Sequence, residues 1–394
     1  MQPKIGIILI NYKDYAKRFL EDCRDSMRKI DYPKDKYVVY IVDNATSPET
    51  EAYLHEVYPE AVVLPNKENS GWGGGNNVGI LQAWKDGCED VVLSNMDVIV
   101  DREWLKELVQ AAYSDAIKAE LLPQAQPKSS ALDKRPIGIA QSKLLLWPIG
   151  KDGVQRINSI GNQLHFLGFG FAGGNGEVDR PSPQPSPPPE AGRRGRGVGG
   201  EGGAVWDIPY ASGASMYVKR EVFEKVGLCN PDFFMYHDDV ELCLKAKLAG
   251  FRVVLAPKSI MWHKYEFSRS IMQVYYMERN RLLTVLQFYK VPTLVLLAPA
   301  FLAMELGLLG ASLVGHYAKP KVRGWGYFFK PSAWRKLRAQ RRRIQALRTI
   351  GDRELLGDAT GRVLHQEIMN PVLKYLANPV MNAYWGVARR LMWW

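Results

Sequence analysis

The chain is 394 residues long, 46% hydrophobic and 24% charged, with a formal net charge of +11. This length accommodates one large α/β domain with appendages, or two domains, and provides ample core for independent folding. The four cysteines form no CxxC pair and no metal-like spacing with histidine, which argues against a disulfide scaffold and fits a reducing cytosol.

The excess positive charge lies largely beyond residue 315, beside a long apolar segment. This placement favours an anionic membrane surface as the partner over a nucleic acid. The chain also lacks a base-reading or stacking motif, so we expect no nucleic-acid partner.

The N-terminal residues alternate apolar runs with helical patterns. Residues 5–12 and 37–44 are predicted to be buried strands, separated by a helix over 15–30. The first run is too short for a secretory signal and lacks a cleavage site. A second helix opens at Ser47-Pro48, and a short strand follows over 61–64. Strands and helices alternating at this spacing predict a parallel sheet with right-handed crossovers.

Residues 69–79 are unusually rich in glycine and run into a helical pattern over 80–85. We expect them to form a loop whose backbone N–H groups approach an anion at the N-terminus of the helix. The dinucleotide fingerprint does not fit, because no GxGxxG with a following acid can be laid on this segment. An ordinary glycine-rich turn is the alternative.

A buried strand over 91–93 is followed by Asn95 and Asp97. Ligands of open α/β sheets bind at the carboxyl ends of strands, so Asp97 is a candidate to hold a cation or a ligand hydroxyl. Capping of the next helix is the alternative, but Asp101, directly before that helix, fits the cap better.

The middle of the chain is less regular. We predict a helix over 102–113, a loop over 119–136 and strands over 137–146 and 154–160. Residues from about 180 to 204 are rich in proline, glycine and arginine and carry almost no apolar side chains. We therefore predict a disordered insertion in a surface loop, with a proline-rich ligand for another domain as the alternative.

After a strand over 214–218 and a helix over 220–226, aromatic residues lead into Asp238 and Asp239, in the predicted first turn of another helix. Capping and the helix dipole explain one acid, but not two adjacent aspartates behind an aromatic wall. Like charges in a partly dry cleft raise one another's pKa, which suits a general base.

His263 follows a predicted strand over 251–255. A single histidine is usually structural. Its interest comes from being a possible metal ligand in a chain that already has Asp97 at a strand end.

Residues 291–315 carry one ionisable side chain, Glu305, and are long enough to span a bilayer. Positive charge on both flanks, together with Pro292, Pro299 and Gly307, favours a re-entrant or in-plane hairpin over a span. A basic segment over 334–347 with aromatic residues upstream is typical of an interfacial helix on anionic lipid.

Four segments together resemble the family-2 inverting glycosyltransferases with the GT-A fold, particularly the bacterial rhamnosyltransferase-like branch. They are Val42-Asp43-Asn44-Ala45, residues 69–79, Asn95-Met96-Asp97-Val98 and Tyr236-His237-Asp238-Asp239-Val240-Glu241-Leu242. The resemblance covers about residues 4–290. It implies a GT-A domain over 1–290, with a mixed, mostly parallel sheet flanked by helices. The remainder, 291–394, is then a helical membrane-associated region: an apolar hairpin or transmembrane segment followed by basic amphipathic helices.

The resemblance also implies a donor site for a nucleoside diphosphate sugar. Asp43 would accept hydrogen bonds from the nucleobase, and the glycine-rich segment would pack on the ribose, diphosphate or sugar. The implied donor-binding residues are Asn11, Tyr12, Asp43, Asn44, Gly71, Trp72, Gly75, Asn76, Asn77 and Asn95.

Asp97 would ligate a divalent cation, Mg²⁺ or Mn²⁺, that bridges the diphosphate, and His263 would complete the shell. Asp239 would deprotonate the acceptor hydroxyl for in-line attack with inversion, with Asp238 as its catalytic neighbour. Two positions depart from the family pattern: Asn95 stands where the metal motif has its first Asp, and Asp238 stands where Glu is usual.

The implied function is transfer of a hexose or deoxyhexose, such as rhamnose, to a glycan or polyprenol-linked acceptor in cell-surface polysaccharide synthesis. The expected location is the cytoplasmic face of the cell membrane. The alternative is a membrane protein that binds a nucleotide sugar without turning it over, and the presence of Asp97, Asp238 and Asp239 weighs against it.

Overall fold

A computed structural model describes residues 2–114, 135–179, 205–266, 274–315, 318–363 and 371–394. The insertion predicted at about 180–204 lies outside these residues, as does nearly all of the loop predicted over 119–136.

The N-terminal half alternates strands and helices as predicted. Its elements are β1 (Ile5–Tyr12), α1 (Tyr15–Met27), β2 (Tyr37–Asn44), α2 (Pro48–Val57), β3 (Val62–Asn66), α3 (Gly71–Lys85), β4 (Asp90–Ser94), β5 (Val98–Val100) and α4 (Trp104–Ala112).

The next part of the chain is richer in strands. Its elements are β6 (Ile137–Leu146), β7 (Ile157–Ser159), β8 (Asn162–Leu164), β9 (Gly170–Ala172), β10 (Trp206–Asp207), β11 (Ser215–Val218), α5 (Arg220–Val226), α6 (Asp238–Leu248) and β12 (Arg252–His263). The strand predicted over 251–255 continues to His263, and the strand predicted over 154–160 shortens to β7.

One mixed sheet has the strand order β10-β12-β6-β11-β4-β1-β2-β3, with β5 paired to β12 and β7 to β6. The pairs β1–β2, β1–β4, β2–β3 and β6–β12 are parallel, and β11 runs antiparallel between β4 and β6. The predicted α/β fold class is therefore confirmed. Because β1, β2, β3 and β4 are parallel, their carboxyl ends meet at one edge of the sheet.

Two hydrophobic clusters cover the two faces of this sheet. Alternate residues of β1 divide between them: Ile8 faces the cluster that holds α3, and Ile7 and Leu9 face the cluster that holds α1 and α4. Successive side chains of a strand point to opposite faces, and here both faces are buried. The strands therefore contain few polar residues.

The C-terminal part is helical, with α7 (Val274–Phe288), α8 (Val291–Val314), α9 (Ala318–Gly326), α10 (Pro331–Ala346), α11 (Asp352–Leu355) and α12 (Asn378–Leu391). Leu297 and Met304 of α8 and Trp385 of α12 belong to the same cluster as Ile8 of the sheet. The C-terminal helices therefore pack on the α/β part of the chain.

Helix α8 is continuous over 24 residues and passes through Pro299 and Gly307. The interruption that favoured a hairpin is therefore absent, and the hairpin prediction is wrong. Among the described residues, α8 is the one helix long and apolar enough to cross a membrane, and 17% of its most apolar window is buried.

Glu305 of α8 is paired with basic residues of neighbouring helices. Its carboxylate contacts Arg281 of α7 and lies 3.1 Å from Nζ of Lys321 in α9. Trp325 Nε1 also donates to it at 2.9 Å. Arg281 and Lys321 are both buried, and a buried charge that loses its partner is strongly destabilising. Glu305 therefore ties α8 to α7 and α9.

Helix α10 differs from the predicted interfacial helix. Its apolar residues Ala333, Leu337 and Ile344 are buried in the protein. Arg341 and Gln345 donate to the backbone carbonyls of Leu286 and Gln287 at the end of α7. The apolar face of α10 therefore packs on protein, and its exposed face is basic.

Candidate functional site

Polar side chains occupy the carboxyl ends of β1 and β2. Asn11 lies beside Asp43 in the parallel register, and its Nδ2 donates to Asp43 Oδ1 at 2.6 Å. Thr50 Oγ1, from the first turn of α2, donates to Asp43 Oδ2 at 2.8 Å. Asp43 is fully buried, and Tyr12 is 40% exposed beside it. The structure thus brings together Asn11, Tyr12 and Asp43, and adds Thr50.

The glycine-rich segment is helical from Gly71 onward, so the loop predicted over 69–79 is wrong in its extent. Tertiary packing overrides the low helix propensity of glycine here. A Cβ on Gly79 would lie 2.5 Å from Ile8, so glycine lets α3 approach β1 closely. Gly71 has φ +73, and a Cβ there would lie 2.0 Å from the carbonyl oxygen of Phe234.

Asn44 connects the end of β2 to the start of α3. Its Nδ2 donates to the Gly71 carbonyl at 3.1 Å, and its Oδ1 accepts from Asn66 Nδ2 at 2.9 Å and from Ser70 Oγ at 3.1 Å. These bonds hold the first turn of α3 at the sheet edge.

Three predicted donor-binding residues of α3 are in contact with protein groups. Gly75 faces Asn44, since a Cβ on it would lie 2.8 Å from Nδ2. Asn76 is fully buried and donates to the Trp72 carbonyl at 2.9 Å. Asn77 exchanges two hydrogen bonds with the backbone of Cys229, at 2.8 and 3.0 Å. Asn77 thus joins α3 to the segment that leads toward α6.

Asp239 is half-buried in the first turn of α6, as predicted. Its Oδ1 accepts from Val240 N at 2.8 Å and its Oδ2 from Gly213 N at 3.3 Å. Burial raises the pKa of Asp239 to about 6, although the backbone N–H groups act in the opposite direction. Such a pKa leaves a carboxylate that is both ionised at neutral pH and basic enough to accept a proton.

Asp238 is 4% exposed, and within the described part of the chain its carboxyl oxygens have no hydrogen-bond partner. Burial, and then the charges of Asp239 and Glu241, raise its pKa well above the usual range. Glu241 itself is paired with Lys245 at 3.1 Å. Of the two adjacent aspartates, Asp239 is therefore the more readily ionised.

The predicted metal ligands Asp97 and His263 lie close together beyond the carboxyl end of β4. Pairing of β5 with β12 sets Val98 opposite His263, and His263 Nε2 lies 3.3 Å from Asp97 Oδ1. Both side chains are buried, at 4% and 6% exposure. His263 Nδ1 lies 3.0 Å from Asn158 Oδ1. Because that oxygen accepts a hydrogen bond, it directs the proton to Nδ1 and leaves Nε2 free to ligate.

A carboxylate beside an imidazole fits a divalent cation that also has oxygen ligands from elsewhere. Among the residues described here, no group of three or more His, Cys, Asp or Glu side chains gathers to hold a metal. Asn95 is half-buried two residues before Asp97 and supplies no charge. Asp97 and His263 are therefore the two side chains here that could ligate a cation together.

The turn that contains Gly213 and Ala214 joins Asp239 to the Asn95–Asp97 segment. Gly213 N donates to Asp239, and the carbonyl of the next residue, Ala214, accepts from Asn95 N at 3.2 Å. Gly213 also lies against Trp72, since a Cβ there would be 2.7 Å from the indole. The acid pair, the start of α3 and the Asn95–Asp97 segment therefore form one contiguous site.

Three residues that contribute to the site were not predicted from the sequence. Thr50 forms a capping box with Ser47. The sequence marks this helix start by Ser47-Pro48, but Thr50 stands where the capping-box signature has Glu or Gln. Gly213 and Asn158 reach the site through tertiary contacts that no local pattern predicts.

Parts of the chain are similar to known proteins. Residues 5–180 match the family model described as Glycosyl transferase family 2. A curated relative, the low-salt glycan biosynthesis hexosyltransferase Agl10 of Haloferax volcanii, is 22% identical over 258 residues, which cover 64% of each chain. The chain thus spans a little under two thirds of that relative's length.

Two solved structures are similar in backbone shape. GalNAc-T7 with UDP, GalNAc and Mn²⁺ is 14% identical, with a TM-score of 0.47 over 74% of this chain and 49% of that one. The mannosyltransferase PcManGT from Pyrobaculum calidifontis, in complex with GDP-Man and Mn²⁺, is 16% identical, with a TM-score of 0.44 over 88% and 86%. The match to the family 2 model is therefore confined to residues 5–180 of the chain.

Proposed function

We propose that the protein is an inverting glycosyltransferase that moves a hexose or deoxyhexose from a nucleoside diphosphate sugar to a glycan or polyprenol-linked acceptor. The observation that carries this proposal is Asp239. Its carboxylate is oriented by two backbone N–H groups and has a pKa raised to about 6. One of those N–H groups belongs to Gly213, which lies against Trp72 at the start of α3.

In the proposed reaction, Asp239 accepts the proton of the acceptor hydroxyl. The acceptor oxygen forms a bond to the anomeric carbon as the bond from that carbon to the diphosphate oxygen breaks. The nucleoside diphosphate leaves with the bonding electron pair, and in-line attack inverts the configuration. Asp238 favours its protonated form, so it limits the negative charge next to the base.

The donor would bind along the carboxyl ends of β1 and β2. Asp43, held by Asn11 and Thr50, accepts hydrogen bonds from the base, and exposed Tyr12 packs on it. Trp72 and the start of α3 face the ribose, diphosphate or sugar. We assign Asn44, Asn76 and Asn77 the role of shaping this turn, because their side-chain amides bond to protein groups.

Asp97 and His263 would hold Mg²⁺ or Mn²⁺, with Asn95 beside them. A carboxylate suits either cation, and a nitrogen ligand favours Mn²⁺ of the two. The bound cation would supply charge neutralisation for the leaving diphosphate. The chain's own contribution is to orient His263 through Asn158, which bonds to its other ring nitrogen.

We place the protein at the cytoplasmic face of the cell membrane, acting in cell-surface polysaccharide synthesis. Five large apolar residues of α8 are exposed by 61–69% and recur at spacings of four and seven, which puts them on one helix face: Val291, Val295, Leu302, Leu306 and Leu313. Exposed Phe329 and Trp334 and the basic face of α10 would add aromatic and charged contacts with anionic lipid.

Asp239→Asn tests the assignment of the base. Full-length protein is incubated with bacterial membranes and a panel of UDP-, GDP- and dTDP-hexoses, and the released nucleoside diphosphate is measured. The variant should lose about 100- to 10,000-fold of the parent's turnover, the usual contribution of a general base. Equal turnover by the variant would refute the assignment.

A further inference from the structure

The backbone just before the acid pair is unusual. Phe234, Tyr236 and His237 have φ values of +68, +63 and +63, in the left-handed region that residues with a side chain rarely adopt. Such conformations persist only where surrounding contacts enforce them. His237 is directly followed by Asp238 and Asp239, so whatever fixes this turn also fixes the start of α6.

Asn280, in the middle of α7, makes the contacts that enforce the turn. It is fully buried, and its two Nδ2–H groups are shared among the carbonyls of Phe233, Met235 and Tyr236, at N···O distances of 2.9, 2.8 and 2.8 Å. Arg279 Nε donates to Asn280 Oδ1 at 2.9 Å, which leaves the amide nitrogen facing the turn.

Arg279 also binds the turn directly. Its Nη2 donates to the carbonyls of Asp232 and Phe233 at 2.6 and 2.9 Å. On the opposite side, Trp72 N donates to the Phe234 carbonyl at 2.7 Å. The turn is therefore held between α7 and the start of α3, the element that would face the donor.

The next residue, Arg281, pairs with Glu305 of the apolar helix α8 and with Glu278. Three consecutive residues of α7 thus connect the turn before the acid pair to the helix proposed to face the membrane. No local sequence pattern predicts this link, because Asn280 is 44 to 47 positions from the carbonyls it binds.

We infer that Asn280 is a positioning residue, supported by Arg279, that holds the Phe233–His237 turn in its left-handed conformation and so sets the direction of the Asp239 carboxylate. Neither side chain touches the reacting atoms. The catalytic consequence rests on the proposed function, whereas the restraint on the turn does not.

The experiment compares full-length Asn280→Ala with Thr284→Ala. Thr284 is also fully buried, lies one turn further along α7 and bonds only to the Asn280 backbone carbonyl among the described contacts. Hydrogen–deuterium exchange is measured for peptides covering 232–241 and, as an internal reference, for β1 and β2. Donor turnover is measured as kcat, KM and a pH profile, with Arg279→Lys as a second, milder variant.

We expect Asn280→Ala to raise exchange over 232–241 at least about 10-fold, with β1 and β2 unchanged, because the turn loses its amide donor. Its kcat should fall about 10- to 100-fold with donor KM changed by less than about 3-fold, and the acid limb of its pH profile should move. Arg279→Lys should change the same quantities less, and Thr284→Ala should change none of them.

Unchanged exchange over 232–241 in folded Asn280→Ala would overturn the inference. So would a loss of stability without any change in kcat or in the pH profile, because that is the result of a merely structural role. If the parent turns over no donor, the proposed function fails, but the exchange measurement still decides whether Asn280 holds the turn.

Discussion

The carboxylate of Asp239 lies 3.3 Å from the backbone nitrogen of Gly213, which donates a hydrogen bond to it. This contact connects α6 to the turn before β11, and β11 pairs with β4, whose end leads to Asp97. The proposed base and the candidate metal ligand are 142 positions apart in the sequence. They are connected through Gly213 and Ala214, because β11 runs antiparallel beside β4.

The first prediction concerns the pH dependence of turnover. Burial raises the pKa of Asp239 to about 6, and only the ionised carboxylate accepts a proton. Below that pKa the base is protonated and turnover should fall about tenfold per pH unit, whereas above it turnover should level off. The measurement is kcat/KM for donor and acceptor between pH 4.5 and 8.

Burial raises the pKa of Asp239, and the backbone N–H groups of Val240 and Gly213 lower it. Asp239 in turn raises the pKa of its neighbour Asp238 and, after burial, that of Tyr210, which lies well above the usual range. Phe in place of Tyr210 removes no charge at these pH values, so Tyr210→Phe is a matched control that should retain the acid limb near pH 6. A profile flat from pH 5 to 8 in the parent would contradict the prediction.

The second prediction concerns Gly71. Its φ is +73 and a Cβ would lie 2.0 Å from the Phe234 carbonyl oxygen, so Gly71→Ala must displace either α3 or the turn before the acid pair. We expect a loss of about 1–3 kcal/mol in the free energy of unfolding and a lower kcat. Chemical denaturation and donor turnover measure the two effects.

Gly87→Ala is the matched control. Gly87 has nearly the same φ, +79, but nothing lies within 4 Å of its would-be Cβ. It should show the conformational cost alone and leave kcat unchanged. Equal effects from the two substitutions would mean that the contact of Gly71 with Phe234 is unimportant.

Much of the fold follows from the sequence, because local patterns carry it. Strands β1, β2 and β6 match their predicted bounds, and Asp238 and Asp239 lie in the first turn of a helix as the pattern indicates. The predicted loop over 69–79 was wrong in its extent. The low helix propensity of glycine suggests a loop, whereas packing against Ile8 and Asn44 makes the segment helical from Gly71. The α8 hairpin was wrong because tertiary contacts support the helix on both sides of Pro299.

The third prediction concerns the cation. If Asp97 helps to hold Mn²⁺ against the diphosphate, UDP or GDP should raise the melting temperature of the parent more with Mn²⁺ than without it. Asp97→Asn should abolish this metal-dependent increment while it preserves the melting temperature of the free protein within a few degrees. Differential scanning fluorimetry measures both quantities.

Asn158→Ala makes a graded comparison, because it removes the contact with His263 Nδ1 and leaves both ligands in place. Loss of such a supporting group typically weakens metal affinity about 10- to 100-fold. The half-saturating Mn²⁺ concentration should therefore rise in Asn158→Ala. A metal increment that survives intact in Asp97→Asn would remove Asp97 from the cation site.

The fourth prediction concerns the exposed face of α8. Leu302 and Leu306 are 63% and 61% exposed, so glutamate at both positions should disturb little inside the protein. If this face lies in lipid, each charge at depth should cost about 2.5–3.5 kcal/mol, the range measured for charged residues at a membrane centre. The double variant should then bind vesicles of anionic lipid at least about 100-fold more weakly than the parent.

Leu81→Glu, at a 45% exposed position of α3, tests whether any added carboxylate has the same effect. Truncation at residue 290 would be a poorer test, because Leu297 and Met304 pack in the same cluster as the sheet and their removal would expose that core. Sedimentation with vesicles measures binding, and unchanged sedimentation of the double variant would show that α8 does not face the membrane.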